Sequence, residues 1–305
     1  MKKIVLAGGT GYLGQLLKAA LVKRGDKVVI LTRGEKQSHH PLIQYVQWDA
    51  RQLGEWVSHL EHADVLINLC GESVARRFTA ANKTLLRASR VVPTQILGEA
   101  ISALQNPPKH WINLSGISIF EDVEGCHDEN SQSVGGGFLA ELTKEWEGVF
   151  LAIDTLGTKK TILRVSPVLA RRSGMFAELY PLVKLGLGGT VGSGQQYISW
   201  IHEQDFVRLT LWLIGLSIPR STYHACSPFP VTNAVFMEKL RRAVGISYGL
   251  PLPTPLAKVG SFFKGVDSSM LLGSVAATTR VTVEDGFNFD FPYISDAFSA
   301  LIQST

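Results

Sequence analysis

Residues 5–14 read "VLAGGTGYLG" and gather Gly8, Gly9, Gly11 and Gly14 between an apolar stretch and an amphipathic one. Gly9, Gly11 and Gly14 satisfy G-x-G-x-x-G, and Gly8, Gly11 and Gly14 satisfy the wider G-x-x-G-x-x-G. Glycines at these intervals permit a tight turn, close approach of backbone to a pyrophosphate, and close packing of the next helix on the preceding strand. Thr10, Tyr12 and Leu13 complete the turn, and the anion would rest on the free amides of a helix starting near Tyr12. The chemistry such a run serves is the gripping of a dinucleotide.

The second apolar run ends in "LTRG" (31–34). A carboxylate about 20 residues beyond the glycines would accept from a ribose 2′-hydroxyl and select NAD. This chain places Thr32 and Arg33 there instead. A guanidinium matches a 2′-phosphate in charge and in its forked geometry, so the pattern favours NADP over NAD. Asp49, in "QWDA" after the third run, is placed either to accept from the adenine amino group or to cap the next helix.

Further groups could meet a substrate. "NLSGISIF" (113–120) offers the hydroxyls of Ser115 and Ser118, between which the spacing does not choose. His202 in "SWIHEQDF" is the side chain whose ordinary pKa best suits a proton carrier, but it reads more readily as a buried, hydrogen-bonded structural histidine. Asp205 reads as the N-cap of "FVRLTLWLI". The run "LGGTVGSGQQYISW" (187–200) is a candidate substrate loop, its glycines letting backbone approach a ligand and Gln195, Gln196 and Tyr197 supplying neutral hydrogen bonds. It holds no arginine to clamp a diphosphate, which argues against a nucleotide-sugar substrate.

The elements that must position these residues follow from periodicity. Near-continuous apolar runs occur at 3–7, 27–32, 45–48, 64–69, 110–114 and 161–165, as strands of a parallel sheet buried on both faces require. Between them lie helical patterns, notably 12–25, closed by Gly25, and the long stretch 79–104. Alternating β and α units predict an α/β fold, a Rossmann-type doubly wound parallel sheet with ligands at the carboxyl ends of its strands. Beyond about residue 230 the pattern changes, with a proline-rich "LPLPTP" and a closing "DGFNFDFPYISDAFSALI". We read residues 1–230 as the dinucleotide-binding domain and 231–305 as a small mixed C-terminal domain that caps it.

The chain of 305 residues is 45% hydrophobic and 18% charged, the profile of a folded globular protein. Its formal charge of +4 is mild and its basic pairs are scattered, so neither nucleic acid nor a membrane surface is the expected partner. The expected partner is a small-molecule substrate, with a homodimer left open. Three cysteines without metal-type spacing point to a reducing compartment with no metal site, and we expect a cytoplasmic protein.

With these residues in view, the chain resembles the extended short-chain dehydrogenases/reductases. More narrowly, it is similar to the NAD(P)-dependent epimerase-family proteins that carry a C-terminal domain of unknown function, family 39U members included. "AGGTGYLG", "VLINLCGE", "SRVVPTQIL", "FLAELTKEWE", "LRVSPVLA", the loop at 187–200 and "DGFNF" carry the likeness across nearly the whole chain. The resemblance implies an NADP-binding oxidoreductase or epimerase acting on a small carbonyl or sugar-like substrate. It puts Gly8, Gly11, Tyr12 and Leu13 at the pyrophosphate, with Gly9 and Thr10 in the same turn, and Arg33 at the 2′-phosphate. It places Asn68, Leu69, Cys70 and Gly71 beside a ribose, and Val165, Ser166 and Val168 along the nicotinamide carboxamide.

The resemblance also exposes an absence. Superfamily chemistry uses a Tyr and, four residues later, a Lys that lowers its pKa. Here those places hold Phe138 and Leu142. Tyr180 and Lys184 repeat the spacing, but after the sixth strand instead of before it. Glu141 and Lys144 lie nearby, and Lys144 projects about 200° from Leu142, toward solvent. The chain also reads "ISIFED" (117–122) where similar proteins often show an aromatic pair and a glycine, which removes another tyrosine hydroxyl. The alternative to an enzyme is therefore an NADP-binding sensor or partner-binding protein with little turnover.

Overall fold

The six apolar runs form strands β1 (Lys3–Ala7), β2 (Lys27–Thr32), β3 (Ile43–Gln47), β4 (Val65–Asn68), β5 (His110–Gly116) and β6 (Lys159–Val165) in a computed structural model that describes residues 1–303. A seventh strand, β10 (Thr222–Ala225), was not anticipated by periodicity. Its four residues, Thr-Tyr-His-Ala, mix polar and apolar types although three are fully buried, because Tyr223 and His224 find hydrogen-bond partners in Asp285 and the Thr278 carbonyl. The sheet runs β10-β6-β5-β4-β1-β2-β3 and every pairing is parallel. The order reverses between β1 and β4, so the carboxyl ends there flank a crevice, the place where doubly wound sheets bind ligands.

Strand alternation sorts the core into two layers. On one face Ile4, Leu6, Val28, Ile30, Val65 and Ile67 pack against α1 (Tyr12–Lys23) and α5 (Glu203–Gly215) through Leu17, Leu21, Phe206 and Leu209. On the other face Val5, Val29, Leu31, Leu66 and Trp111 meet α2 (Ala80–Ala103) and α3 (Phe138–Ala152) through Ile96, Leu97, Ala100 and Phe150.

A separate apolar cluster lies outside the sheet. It joins α4 (Gly174–Lys184), α6 (Asn233–Val244) and α10 (Ile294–Gln303) through Phe176, Val183, Phe236, Leu240, Phe298 and Leu301. Leu169 and Trp200 belong to it too, so this second core draws on sequence from both sides of residue 230. Paired two-residue strands tie it together: β7 (Val168–Leu169) with β9 (Ile201–His202), and β8 (Tyr197–Ile198) with β11 (Val231–Thr232). The remaining helices are α7 (Thr254–Lys264), α8 (Ser269–Leu272) and α9 (Arg280–Glu284). Val281 and Phe287 return to the sheet's own core.

One helix start differs from the sequence reading. Helix α5 begins at Glu203 with His202 as its N-cap, and Asp205 is not the cap. Asp205 is fully buried and its carboxylate accepts from the amides of Asp290 and Phe291 and from Arg208, fastening the C-terminal segment to α5.

Candidate cofactor and substrate site

The glycine turn has the properties of an anion cradle. Gly8 adopts φ +74, and a Cβ there would meet Cys70 Sγ at 3.0 Å. A Cβ on Gly14 would stand 2.4 Å from the Gly9 carbonyl oxygen, so only glycine lets α1 seat this closely on the turn. At Gly11, by contrast, nothing lies within 4 Å of such a Cβ. Gly11 is the N-cap of α1 and supplies no side-chain acceptor, and the first turn of the helix carries no acidic residue. The amides of that turn therefore face open space with a favourable dipole, and a pyrophosphate fits them. Tyr12 turns its hydroxyl away to Glu203, leaving only its backbone to the cradle. Thr10 is half-buried and Leu13 packs on the core beneath.

The flanking strand ends deliver the rest. Arg33 follows β2 with its side chain 75% exposed, and its Nη2 lies 3.2 Å from Glu72 Oε1 in the loop after β4. A solvent-exposed guanidinium beside the cradle fits a 2′-phosphate; β2 itself carries no acid, and the carboxylate paired with Arg33 is Glu72. Asp49 is exposed, and its Oδ1 accepts from the amides of Arg51 and Gln52, closing the turn after β3.

Asn68 is fully buried. Its amide nitrogen donates to Thr94 Oγ1 and Asn113 Oδ1, while its oxygen accepts from the Cys70 amide, which fixes Leu69, Cys70 and Gly71 against the cradle. Arg90, which the sequence reading passed over, lies beneath: its Cζ is 3.2 Å from the place of a Cβ on Gly71 and its Nη2 donates to the Glu72 carbonyl. Burial pulls its pKa down to about 10. Its one sequence signal is the stretch "SRVVPTQIL".

The carboxyl ends of β5 and β6 separate the two serine candidates. Ser115 is buried and donates to Glu147 Oε1 at 2.6 Å, and Arg164 grips the same carboxylate through Nε and Nη2, both at 2.8 Å. Its hydroxyl thus belongs to an internal network. Ser118 stands on the one-turn 3₁₀ helix Ile117–Phe120, with Oγ 3.4 Å from Thr143 Oγ1 of α3. Val165 is in register with Gly116 and Ala225, while Ser166 binds the Ala225 carbonyl through amide and hydroxyl; Val168 follows in β7.

The structure places Phe138 and Leu142 in a small apolar cluster with Phe78, Leu86 and Leu139. The Phe138 and Phe78 rings are 4.9 Å apart. Neither residue brings a titratable group to the site. Lys144 and Glu141 are exposed. Tyr180 and Lys184 both lie on α4; Tyr180 stacks on Phe176 at the second core, whereas Lys184 is exposed.

His202 is buried, accepts the Gln204 amide at Nδ1 and lies 3.9 Å from the Phe291 ring centroid. Burial lowers its pKa to about 4. These contacts make it a neutral structural cap, and none of them joins it to Ser115 or Ser118.

The loop at 187–200 uses its glycines differently from the expectation. A Cβ on Gly189 would fall 2.3 Å from the Leu250 carbonyl, and the backbones of 189–192 and 250–252 exchange hydrogen bonds. The close approach is made to the chain's own C-terminal segment. Gln196 Nε2 binds the carbonyls of Val191 and Leu271 and so holds the loop, whereas Gln195 and Tyr197 are exposed.

Sequence reading also missed Glu121. It follows the 3₁₀ turn, is only 6% exposed, and is wedged beside Gly137, the residue before Phe138. Its only signal was the reading "ISIFED", noticed for the tyrosine it lacks and not for the carboxylate it gains.

Comparison with known proteins bears on this geometry. The model of the NAD dependent epimerase/dehydratase family matches residues 4–221. An epimerase family protein of Mycobacterium leprae, ML0860, is 31% identical over 97% of this chain and 94% of its own. The human epimerase family protein SDR39U1 is 27% identical over 98% of this chain and 99% of its own. A crystal structure of that human protein with NADPH superimposes with a TM-score of 0.88 at 26% identity, covering 99% of this chain and 100% of that one. A nucleoside-diphosphate sugar epimerase from Corynebacterium glutamicum gives a TM-score of 0.78 at 25% identity, over 98% of this chain and 57% of that one.

Proposed function

The chain belongs to the NAD dependent epimerase/dehydratase family, and from that premise we propose that it binds NADP(H) and serves hydride transfer to or from a small carbonyl or sugar-like substrate. The observation that carries the reading is Arg33. An exposed guanidinium closes β2 beside a glycine cradle whose helix amides are free; β2 itself ends without an acid, and Arg33 pairs with Glu72 from the loop after β4. The human relative crystallised with NADPH supports it.

In this reading the amides at the start of α1 hold the pyrophosphate, Arg33 the 2′-phosphate, and the fixed backbone of Leu69–Gly71 lies along a ribose. When bound, the nicotinamide supplies or accepts hydride. Ser118 is the hydroxyl placed to orient a substrate oxygen, because Ser115 is occupied by Glu147.

A second reading, an NADP-binding protein that turns nothing over, rests on Phe138 and Leu142 in their apolar cluster. NADPH oxidation screened over aldehydes, ketones and nucleotide sugars separates the two. Oxidation dependent on an added carbonyl supports the enzyme, and NADPH binding with no oxidation across the panel supports the sensor.

A further inference from the structure

We propose that Glu121 is the proton carrier of this site, standing in for the tyrosine that α3 lacks. The proposal rests on the oxidoreductase reading and adds to it a residue on the loop after β5.

The chain buries three glutamates among its described residues, Glu121, Glu129 and Glu147. Two are satisfied as structural carboxylates should be. Glu129 accepts from the amides of His224, Arg280, Val281 and Thr282 and from the hydroxyls of Thr279 and Thr282. Glu147 accepts from Ser115 and Arg164. Glu121 is only 6% exposed and has no protein hydrogen-bond donor among the described residues, yet its carboxyl oxygens are not fully buried and still reach solvent. A largely buried carboxyl that no protein group holds, but that solvent still reaches, is free to exchange a proton with a ligand.

Its position suits that role. Oε2 lies 2.5 Å from the place of a Cβ on Gly137, and Oε1 lies 3.0 Å from that on Gly273. Two glycines thus make room for the carboxyl, one at the N-cap of α3 and directly before Phe138, the other just after α8. The carboxyl sits at the head of the helix that carries the superfamily's tyrosine, three residues along the same turn from the Ser118 hydroxyl. The Asp122 amide donates to the Ser274 carbonyl, and the Ser274 amide donates to Asp122 Oδ1. That clasp closes the C-terminal segment over Glu121.

The charged groups around it are Asp122 on its own turn, Asp267 before α8, Glu141 in the first turn of α3, and Lys83 of α2, whose Nζ is 4.9 Å from the Phe138 ring centroid. On the adjoining loop Arg76 pairs with Glu72, and Arg77 donates to the Phe262 carbonyl. Burial, then the negative charges of Asp122 and Asp267, push the Glu121 carboxyl up to about 7. A group titrating there can both give and take a proton near neutrality.

In the reducing direction the substrate C=O π bond opens as hydride from the reduced dinucleotide reaches carbon. The O–H bond of protonated Glu121 breaks, and that proton forms the O–H bond of the product alcohol. Glu121 is left as carboxylate, which water reprotonates. The carbonyl is reduced and the dinucleotide oxidised.

The test uses the full chain with NADPH and 4-nitrobenzaldehyde as the probe carbonyl. Wild-type reduction should fall as pH rises through about 7, because the protonated acid is the active form. Glu121→Gln should lower kcat on the order of 100-fold and abolish that pH limb while leaving NADPH affinity unchanged. The double variant Glu121→Gly with Gly137→Asp, which brings a carboxyl into the same space from α3, should regain about tenfold of the loss. Independently of turnover, infrared difference spectra should show a carboxyl titrating near neutrality in the wild type and absent from Glu121→Gln. A Glu121→Gln protein with wild-type rate and pH profile, or a wild type with no such carboxyl, overturns the proposal. Failure of the wild type to bind NADPH instead overturns the oxidoreductase reading.

Discussion

Arg33 Nη2 and Glu72 Oε1 are 3.2 Å apart, linking the end of β2 to the loop after β4. Because β1 lies between those strands, the pair brackets the glycine turn that β1 delivers. An ion pair this exposed contributes little to folding, about 0–1 kcal/mol, so its significance lies in what else the guanidinium can bind. Arg33→Ala should weaken NADPH binding on the order of 10- to 100-fold, leave NADH binding nearly unchanged, and leave Tm unchanged. Calorimetric titration of both dinucleotides checks it, and equal losses for both would remove the 2′-phosphate assignment.

The two glycines at the head of α1 make opposite predictions. Gly11 has φ −72 and ψ 175, which alanine adopts freely, and its Cβ would enter open space. Gly11→Ala should therefore keep Tm and lose dinucleotide affinity by about tenfold or more, through crowding of the cradle. Gly14→Ala forces a methyl to 2.4 Å from the Gly9 carbonyl oxygen and should destabilise the fold by about 1–3 kcal/mol. Urea unfolding alongside calorimetry separates the two effects.

The Ser115–Glu147–Arg164 network should behave as structure. With both charged side chains nearly buried, Glu147→Ala leaves Arg164 unpaired and should cost about 3–5 kcal/mol in urea unfolding. Ser115→Ala should cost only about 1 kcal/mol and leave NADPH affinity untouched. A loss of NADPH affinity in Ser115→Ala at unchanged stability would return Ser115 to the site.

Much of this was legible in the sequence. Six strands, the glycine turn and the arginine that follows β2 could be read because each depends on local pattern: buried parallel strands are apolar throughout, and a turn needing positive φ or backbone contact needs glycine. What escaped depends on partners distant in sequence. The glycines of 187–194 looked suited to a ligand, and only the fold shows residues 250–252 lying against them. Asp205 had the spacing of a cap, yet it is held by Asp290 and Phe291, 85 and 86 residues away. Glu121 was one acid in a polar loop until Gly137 and Gly273 were seen to enclose it.

Acid should destabilise the protein through its buried histidines. Burial lowers His110, His202 and His224 to about 4 from an ordinary 6.5. The unfolded chain therefore binds protons that the folded one refuses, and stability is lost as pH falls from 6.5 toward 4. Thermal melts across that window should show a falling Tm, and His202→Asn should show a shallower fall. A Tm independent of pH there would contradict the buried neutral state.

Glu121 has the opposite sign. Its folded pKa is raised from 4.5 to about 7, so stability declines as pH rises between those values and then levels off. Glu121→Gln removes the cost and should raise Tm by a few degrees above pH 7, with no gain below 4.5. Melts of both proteins at the two extremes check it.

The most direct test of the central claim is calorimetric titration of the purified, ligand-free chain with NADPH and with NADH. The account predicts saturable heat for NADPH at one site per chain, with NADH at least about tenfold weaker. No heat from either dinucleotide, or tighter binding of NADH, would contradict it.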